Sequence, residues 1–298
     1  MASVHGQYVK NTNQINMPKL KVAAIQLNSQ PDLTESMDRC YAAIKSAAKN
    51  GANLIALPEN FAFMGDEIQK KQKGAEISKR VLDEIPKWAK EFNVTLLAGG
   101  FPVPASNGKV YNRSIICDAT GAIVSSYNKI HLFDVSLSSD ETYRESDTVE
   151  AGELKPIVST LSANQFGTNA QEPFGVNLGM TICYDLRFPE LFRELTNLGA
   201  EIIFVPAAFT QPTGKAHWEV LLRARAIENS LFIVAPAQTG THGSKRKTHG
   251  HAMIIDPWGN ILSDAGREPG FAMATIDLNQ ISEVRQKLPS IHHRVMPN

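Results

Sequence analysis

Gly179-Met180-Thr181-Ile182-Cys183-Tyr184-Asp185-Leu186-Arg187-Phe188-Pro189-Glu190 is the stretch on which the reading of this chain turns. An apolar run from Val176 to Ile182, with β-branched residues, stops abruptly at a polar segment. The run reads as a buried strand, and a helix is expected over about Arg187 to Leu198. Cys183 then ends the strand at the carboxyl edge of a sheet, where open α/β folds place their sites. A helix start beside the sulfur would favour the thiolate through its amide hydrogens and dipole. The competing reading is a small apolar core thiol, since unpaired cysteine is among the most buried residue types. Position alone leaves both readings open.

Outward from Cys183, strand and helix patterns alternate through most of the chain. Strands are expected at Lys21 to Leu27, Asn53 to Leu57, Thr95 to Gly99, Glu201 to Val205, Phe232 to Ala235, Ala252 to Asp256 and Phe271 to Ile276. Two more lie within residues 110 to 127, joined by the turn Asp118-Ala119-Thr120-Gly121. Helices are expected at Thr34 to Asn50, with Thr34 as N-cap, at Ala75 to Phe92, and at Lys215 to Asn229 with Val220, Ala224 and Ile227 on the apolar face. Asp256-Pro257-Trp258-Gly259-Asn260 reads as a tight turn. Three strands end alike, in Leu57-Pro58, Val205-Pro206 and Ala235-Pro236, because proline removes a ladder donor. A generic junction and an internal duplication both explain that echo.

The chain has 298 residues, enough for a substantial core, and thirty basic residues balance thirty acidic ones. No global field favours nucleic acid, and no apolar stretch approaches a bilayer span, so neither nucleic acid nor a membrane is an expected partner. Residues 1–17 are polar and read as a flexible tail, leaving one domain over 18–298. Cys40, Cys117 and Cys183 are odd in number, scattered and free of any CxxC pair, which suits a reducing cytoplasm better than a disulfide framework or a zinc site.

Other polar residues fall where a nucleophile at Cys183 would need help. Glu59 follows the buried run Leu54-Ile55-Ala56-Leu57-Pro58, Lys129 sits in Tyr127-Asn128-Lys129-Ile130-His131-Leu132, and Glu145 in Tyr143-Arg144-Glu145-Ser146-Asp147. Singly, each is more often solvated surface than chemistry. Together with Ile182-Cys183-Tyr184-Asp185-Leu186-Arg187-Phe188-Pro189-Glu190, these fragments resemble the nitrilase superfamily of carbon–nitrogen hydrolases from about Leu20 onward. Ala216-His217-Trp218-Glu219 with Arg223-Ala224-Arg225, and Gly250-His251-Ala252-Met253 with Asp256-Pro257-Trp258-Gly259, are similar to the Nit branch. The chain departs from that pattern between Ala163 and Phe174, where it is longer than expected; residues 159–173 are read as a surface excursion.

The resemblance implies an α/β fold, the four-layer αββα sandwich, and pairing through the helical layers into a homodimer. It implies hydrolysis of a small carboxylate-bearing amide to an acid and ammonia through a cysteine thioester, without metal or cofactor. Deaminated glutathione is the first expected substrate and 2-oxoglutaramate, the omega-amidase substrate, the second; a true nitrilase and an idle interaction protein on the same fold are the alternatives. Cys183 would be the nucleophile, Glu59 the proton carrier, Lys129 with the Tyr184 backbone amide the oxyanion stabiliser, and Glu145 an orienting group. Amide hydrolysis suits such a set, because a poor electrophile with a poor leaving group benefits from a covalent intermediate. A substrate with remote carboxylates needs local cations, for which Arg187, Arg223, Lys245 and Arg246 are candidates, with His217 a further binding residue. His131 and His217 are the other candidate partners of Cys183; no sequence pattern supports a cysteine–histidine pair.

Overall fold

The computed structural model describes residues 19–136, 142–168, 175–243 and 246–296. The expected tail over residues 1–17 lies outside the described residues, as do Lys245 and residues 169–173 of the expected excursion.

The chain opens with β1 (Lys19–Leu27), α1 (Leu33–Lys49), β2 (Leu54–Leu57), α2 (Glu67–Gln72), α3 (Gly74–Phe92) and β3 (Thr95–Pro104). β4 (Val110–Cys117) and β5 (Ile123–Asn128) pair antiparallel around the expected turn, followed by the two-stranded hairpin of β6 (Asp134–Ser136) and β7 (Thr142–Arg144) and by β8 (Val149–Glu150). β9 (Ile157–Ser162), β10 (Gly175–Met180), α4 (Pro189–Asn197), β11 (Ile202–Phe204), α5 (Gln211–Asn229) and β12 (Phe232–Ala235) come next. The last elements are β13 (Ala237–His242), β14 (Arg246–His249), β15 (Met253–Ile255), β16 (Ile261–Asp264), β17 (Gly270–Asp277) and α6 (Asn279–Lys287).

Among the described residues these strands make two large sheets. One runs β14-β13-β1-β2-β3-β4-β5, with β17 also on β1 and β8 on β4; the other runs β16-β15-β12-β11-β10-β9. The period of two in β1 shows how they stack. Ala23 and Ile25 pack with Met37, Ile44, Val81 and Ile85 of α1 and α3, whereas Val22 and Ala24 belong to the core shared with Leu178, Phe204 and Val234 of the second sheet. Phe192 and Leu195 of α4 and Trp218 and Leu222 of α5 join that second core from the outside. The order is helix, sheet, sheet, helix.

Several elements differ from expectation. Asp32, not Thr34, caps α1: its carboxylate accepts the Glu35 N–H at 2.9 Å, and an acid at a helix start also meets the dipole favourably. The excursion expected over residues 159–173, read as a hairpin or loop, opens in β9: residues 159–162 belong to that edge strand, paired antiparallel with β10. In α5 the face of Val220, Ala224 and Ile227 is the outer one, with Val220 66% and Ile227 46% exposed. The buried stripe is Gly214, Trp218, Leu222, Ala226 and Asn229, with Arg225 beside it. Two apolar stripes compete on this helix, and Trp218 carries far more area to bury than Val220. No helix among the described residues is long and apolar enough to cross a membrane.

Candidate active site

The site forms where strand ends of the two sheets meet. β2 stops at Pro58, Glu59 follows, and Asn60 turns the chain with φ 58° while donating its N–H to Gly100 O at 2.7 Å. Gly100 sits in a bulge of β3 against β4; a Cβ there would lie 2.2 Å from Asn112 Oδ1 and 3.1 Å from Glu59 Cγ. Only glycine lets these two side chains close over the strand. Lys129 directly follows β5, and its backbone is held on both sides, by Asn112 O at 2.9 Å and by the Gly152 N–H at 2.8 Å. Glu145 opens a short 3-10 turn, Glu145–Asp147.

Cys183 does not end its strand. β10 finishes at Met180, and Cys183 begins a 3-10 turn, Cys183–Arg187, with φ 49°, its N–H bonded to Pro206 O at 2.9 Å. A non-glycine residue held in the left-handed region is strained, and such strain gathers at functional sites. α4 starts only at Pro189, so the helix dipole expected beside the sulfur is absent from that position. The Tyr184 N–H has no hydrogen-bond acceptor among the described residues.

The buried polar cluster is compact. Lys129 Nζ lies 3.0 Å from Glu59 Oε1 and 3.0 and 2.8 Å from the two oxygens of Glu145, and Lys129 is 2% exposed. Asn112 Nδ2 donates to both acids, at 2.9 Å to Glu59 and 3.2 Å to Glu145. The Phe133 N–H fixes the other Glu145 oxygen at 2.6 Å, and the Ala208 N–H fixes Glu59 Oε2 at 3.1 Å. Asn112 escaped the sequence reading. Its signal was the alternation Val110, Asn112, Ser114, Ile116, which sets two polar residues on an otherwise buried face of β4.

Burial pulls the Glu59 carboxyl upward, but Lys129 above all, then the Cys183 thiol, outweigh it and hold Glu59 down at about 2. Burial would also strip Lys129 of its proton, yet Glu145 and Glu59 hold it well above the usual lysine value. Burial, with Glu59 as neighbour, pushes the Cys183 thiol well above its ordinary value against the pull of Lys129. The resting pair is therefore thiol and carboxylate. The thiolate expected from a helix start gives way to a proton kept on sulfur, because a second negative charge beside buried Glu59 is too costly. Such a pair suits proton transfer on demand, with the base already ionised.

A third carboxylate ties the Cys183 turn to the lysine loop. Fully buried Asp185 accepts Tyr127 Oη at 2.7 Å, Ile182 N–H at 2.8 Å, and both the N–H and Nδ1 of His131, at 3.1 and 2.7 Å. The His131 ring stacks on Phe188 at 3.6 Å. His131 thus serves Asp185, not Cys183. From α5, the Arg225 guanidinium donates twice to Leu186 O, at 3.1 and 2.9 Å.

A pocket of about 660 Å³, open solvent at its mouth included, leads to Cys183, Glu59, Lys129 and Glu145. Tyr184 and Phe209 form part of its wall, and Arg187 lies over both rings, 5.8 and 5.4 Å from their centroids. Arg246 lines it from β14, across from Tyr143 of β7 at 5.6 Å. Of the expected binding residues, Arg187 and Arg246 reach the pocket. Arg223 does not: it is spent on Gly259 O at 2.9 Å and on Glu219 at 3.3 Å along the exposed side of α5. His217 is exposed and outside the lining, its Nδ1 3.4 Å from the Arg187 guanidinium. Lys245 lies outside the described residues. Lys70, Arg144 and Glu67, also in the lining, went unread. They come from α2 and β7, and their convergence follows from folding, not spacing.

A sandwich of this layer order has counterparts among known proteins. The pattern of the carbon-nitrogen hydrolase family matches residues 21–286, and the chain belongs to that family; it is a hydrolase acting on carbon–nitrogen bonds. A protein of Synechocystis sp. named deaminated glutathione amidase is 49% identical over 275 residues, covering 92% of this chain and 97% of its own. The human protein of the same name is 38% identical, over 92% of this chain and 81% of its own. The crystal structure of the C. elegans NitFhit protein superposes with a TM-score of 0.83 at 32% identity, covering 94% of this chain and 66% of that one.

Proposed function

We propose that this hydrolase is a deaminated glutathione amidase. The observation that carries the reading is the charge of the pocket. Lys70, Lys129, Arg144, Arg187 and Arg246 face it against Glu59, Glu67 and Glu145, a surplus of two positive charges with the thiol neutral. Deaminated glutathione bears two carboxylates, one on its 2-oxo acid and one on its glycine; 2-oxoglutaramate bears one. A pocket with low-dielectric walls concentrates the ligand of matching charge. The similarity to proteins named for this substrate supports the same choice.

In the mechanism, Glu59 takes the Cys183 proton as Sγ attacks the amide carbonyl. The tetrahedral oxygen is held by the Lys129 ammonium and the Tyr184 N–H, a stabilisation of about 3–4 kcal/mol per donor. Glu59 passes its proton to the departing nitrogen, the C–N bond breaks, and a Cys183 thioester remains. Water then gives a proton to Glu59 and its oxygen to the carbonyl, and the thiol leaves with that proton. Glu145, fixed by Phe133 and Asn112, keeps Lys129 in place. Deaminated glutathione and 2-oxoglutaramate share a 2-oxo acyl unit and differ in what leaves. For the former it is the amine of cysteinylglycine; ammonia leaves only from a primary carboxamide.

The chain from residue 18 on works as one catalytic domain, in the cytoplasm, where its three free cysteines stay reduced. It pairs into a homodimer through the helical layer that carries the exposed Val220 and Ile227 of α5. The deciding experiment measures kcat/KM side by side on both substrates, by release of the 2-oxo acid and of the amine or ammonia. Deaminated glutathione is the better substrate, and its advantage shrinks as salt rises to the extent that exposed cations supply it. Equal or reversed preference moves the assignment to omega-amidase.

A further inference from the structure

The pocket wall holds a free acceptor and a free donor next to each other. Glu67 Oε1 pairs with Lys70 Nζ at 2.5 Å and lies 3.6 Å from Arg246 Nη1. Glu67 Oε2 is buried without a hydrogen-bond partner among the described residues, and so is Arg246 Nε. Buried polar atoms are rarely left so, and each one in a native protein asks for an explanation. Both residues line the pocket, and the two come from separate elements, α2 and β14. Neither hydrogen-bonds to the Glu59–Lys129–Glu145 cluster, although the Arg246 charge adds to the pull that lowers the Glu59 carboxyl. Lys70 is itself buried and neutralises Glu67, so the guanidinium retains its charge for a ligand.

We propose that Glu67 and Arg246 form a subsite that grips the carboxyl-terminal end of the departing peptide. Arg246 binds the terminal carboxylate, and Glu67 Oε2 accepts the N–H of the last peptide bond. In a –NH–CH₂–COO⁻ group the donor and the anion are one carbon apart, which suits an acceptor and a guanidinium held side by side. An isolated carboxylate would find Arg246 but leave Glu67 Oε2 without a donor. An ammonium would find Glu67 but be repelled by Arg246 and Lys70. The subsite rests on the proposed function and adds the residues that select its leaving group: a peptide with a free carboxyl terminus and an N–H one carbon away. The pairing is specific because a site built to hydrogen-bond a group rejects the analogue that lacks it.

The test uses the full chain, wild type, Arg246→Gln and Glu67→Met, with three substrates: deaminated glutathione, the same compound with its glycine carboxylate converted to carboxamide, and 2-oxoglutaramate. For the wild type, amidation of the glycine end lowers kcat/KM about 10- to 100-fold, mainly through KM, as expected for a lost charge-assisted contact. Arg246→Gln lowers kcat/KM on deaminated glutathione by a similar factor and loses little more on the amidated compound, because the partner group is already gone. Glu67→Met reduces the ratio between deaminated glutathione and 2-oxoglutaramate. A wild type that prefers deaminated glutathione, with an Arg246→Gln variant that falls equally on the carboxylate and carboxamide forms, overturns the subsite and leaves the functional reading standing. A wild type with no preference for deaminated glutathione overturns the functional reading and the subsite with it.

Discussion

Replacing Lys129 with methionine keeps most of the stem and removes the ammonium, which changes rate, pH dependence and stability together. The lysine is the sole cation within about 3 Å of Glu59 and Glu145 among the described pairs, at 3.0 Å and 2.8 Å. Its loss removes the proposed oxyanion donor, a cost of about 3–4 kcal/mol or 10²–10³-fold in kcat. It also leaves two buried carboxylates facing one another, and one of them takes up a proton. Glu59, now held at about 2 chiefly against its burial by Lys129, rises. The acid limb of the pH–rate profile moves to higher pH, because the base is ionised only above its new value. Stability moves with the same sign. In the wild type the depressed Glu59 value stabilises the folded state above the ordinary carboxylate range and the contribution fades as pH falls toward 2. In Lys129→Met the buried acids cost about 3–5 kcal/mol at neutral pH, and the deficit narrows on acidification as the acids protonate. Steady-state kinetics from about pH 5 to 9 and thermal melts at both ends read these effects. A variant whose kcat stays within about tenfold of wild type, with only KM raised, would make Lys129 a substrate-binding residue and refute the reasoning.

Cys183→Ala abolishes turnover with the fold intact, checked by circular dichroism, and quenched wild-type turnover shows an acyl mass on the peptide containing Cys183. More than a trace of activity in a folded Cys183→Ala protein would remove the nucleophile assignment. Sedimentation at micromolar concentration gives twice the 32.7 kDa mass of one chain, and Val220→Glu with Ile227→Glu shifts it toward the monomer; a single 32.7 kDa species in the wild type contradicts the dimer.

Much of the fold was legible because local signals agreed with global burial. Phe232–Ala235 emerges with the expected bounds, and the Asp118 turn joins β4 to β5 as its residues require. Failures came where two local answers were close. On α5 two stripes satisfy the helical period, and only the second sheet decides that Trp218 turns inward. At Cys183 the apolar run continues past the last ladder pair at Met180, so composition carries the strand beyond its hydrogen bonds. Glu59, Lys129, Glu145 and Cys183 stood out through motif resemblance, and the structure brings them together. Asn112 and Glu67 did not, since a buried asparagine and a helix-opening glutamate look ordinary until chain segments far apart in sequence close around them.

Asp185 gives this architecture a division of labour. One carboxylate fastens the turn carrying Cys183 to the residues on either side of Lys129, through Ile182, Tyr127 and His131. The Cys183 sulfur and the Lys129 ammonium thereby share one chassis. Tyr143 and Arg144 of the β6–β7 hairpin and Arg246 of β14, which face the pocket, take no part in that bracing. A lineage that rewrites those three side chains can change which amide is admitted while the Asp185 bracing between the Cys183 turn and the Lys129 loop stays in place.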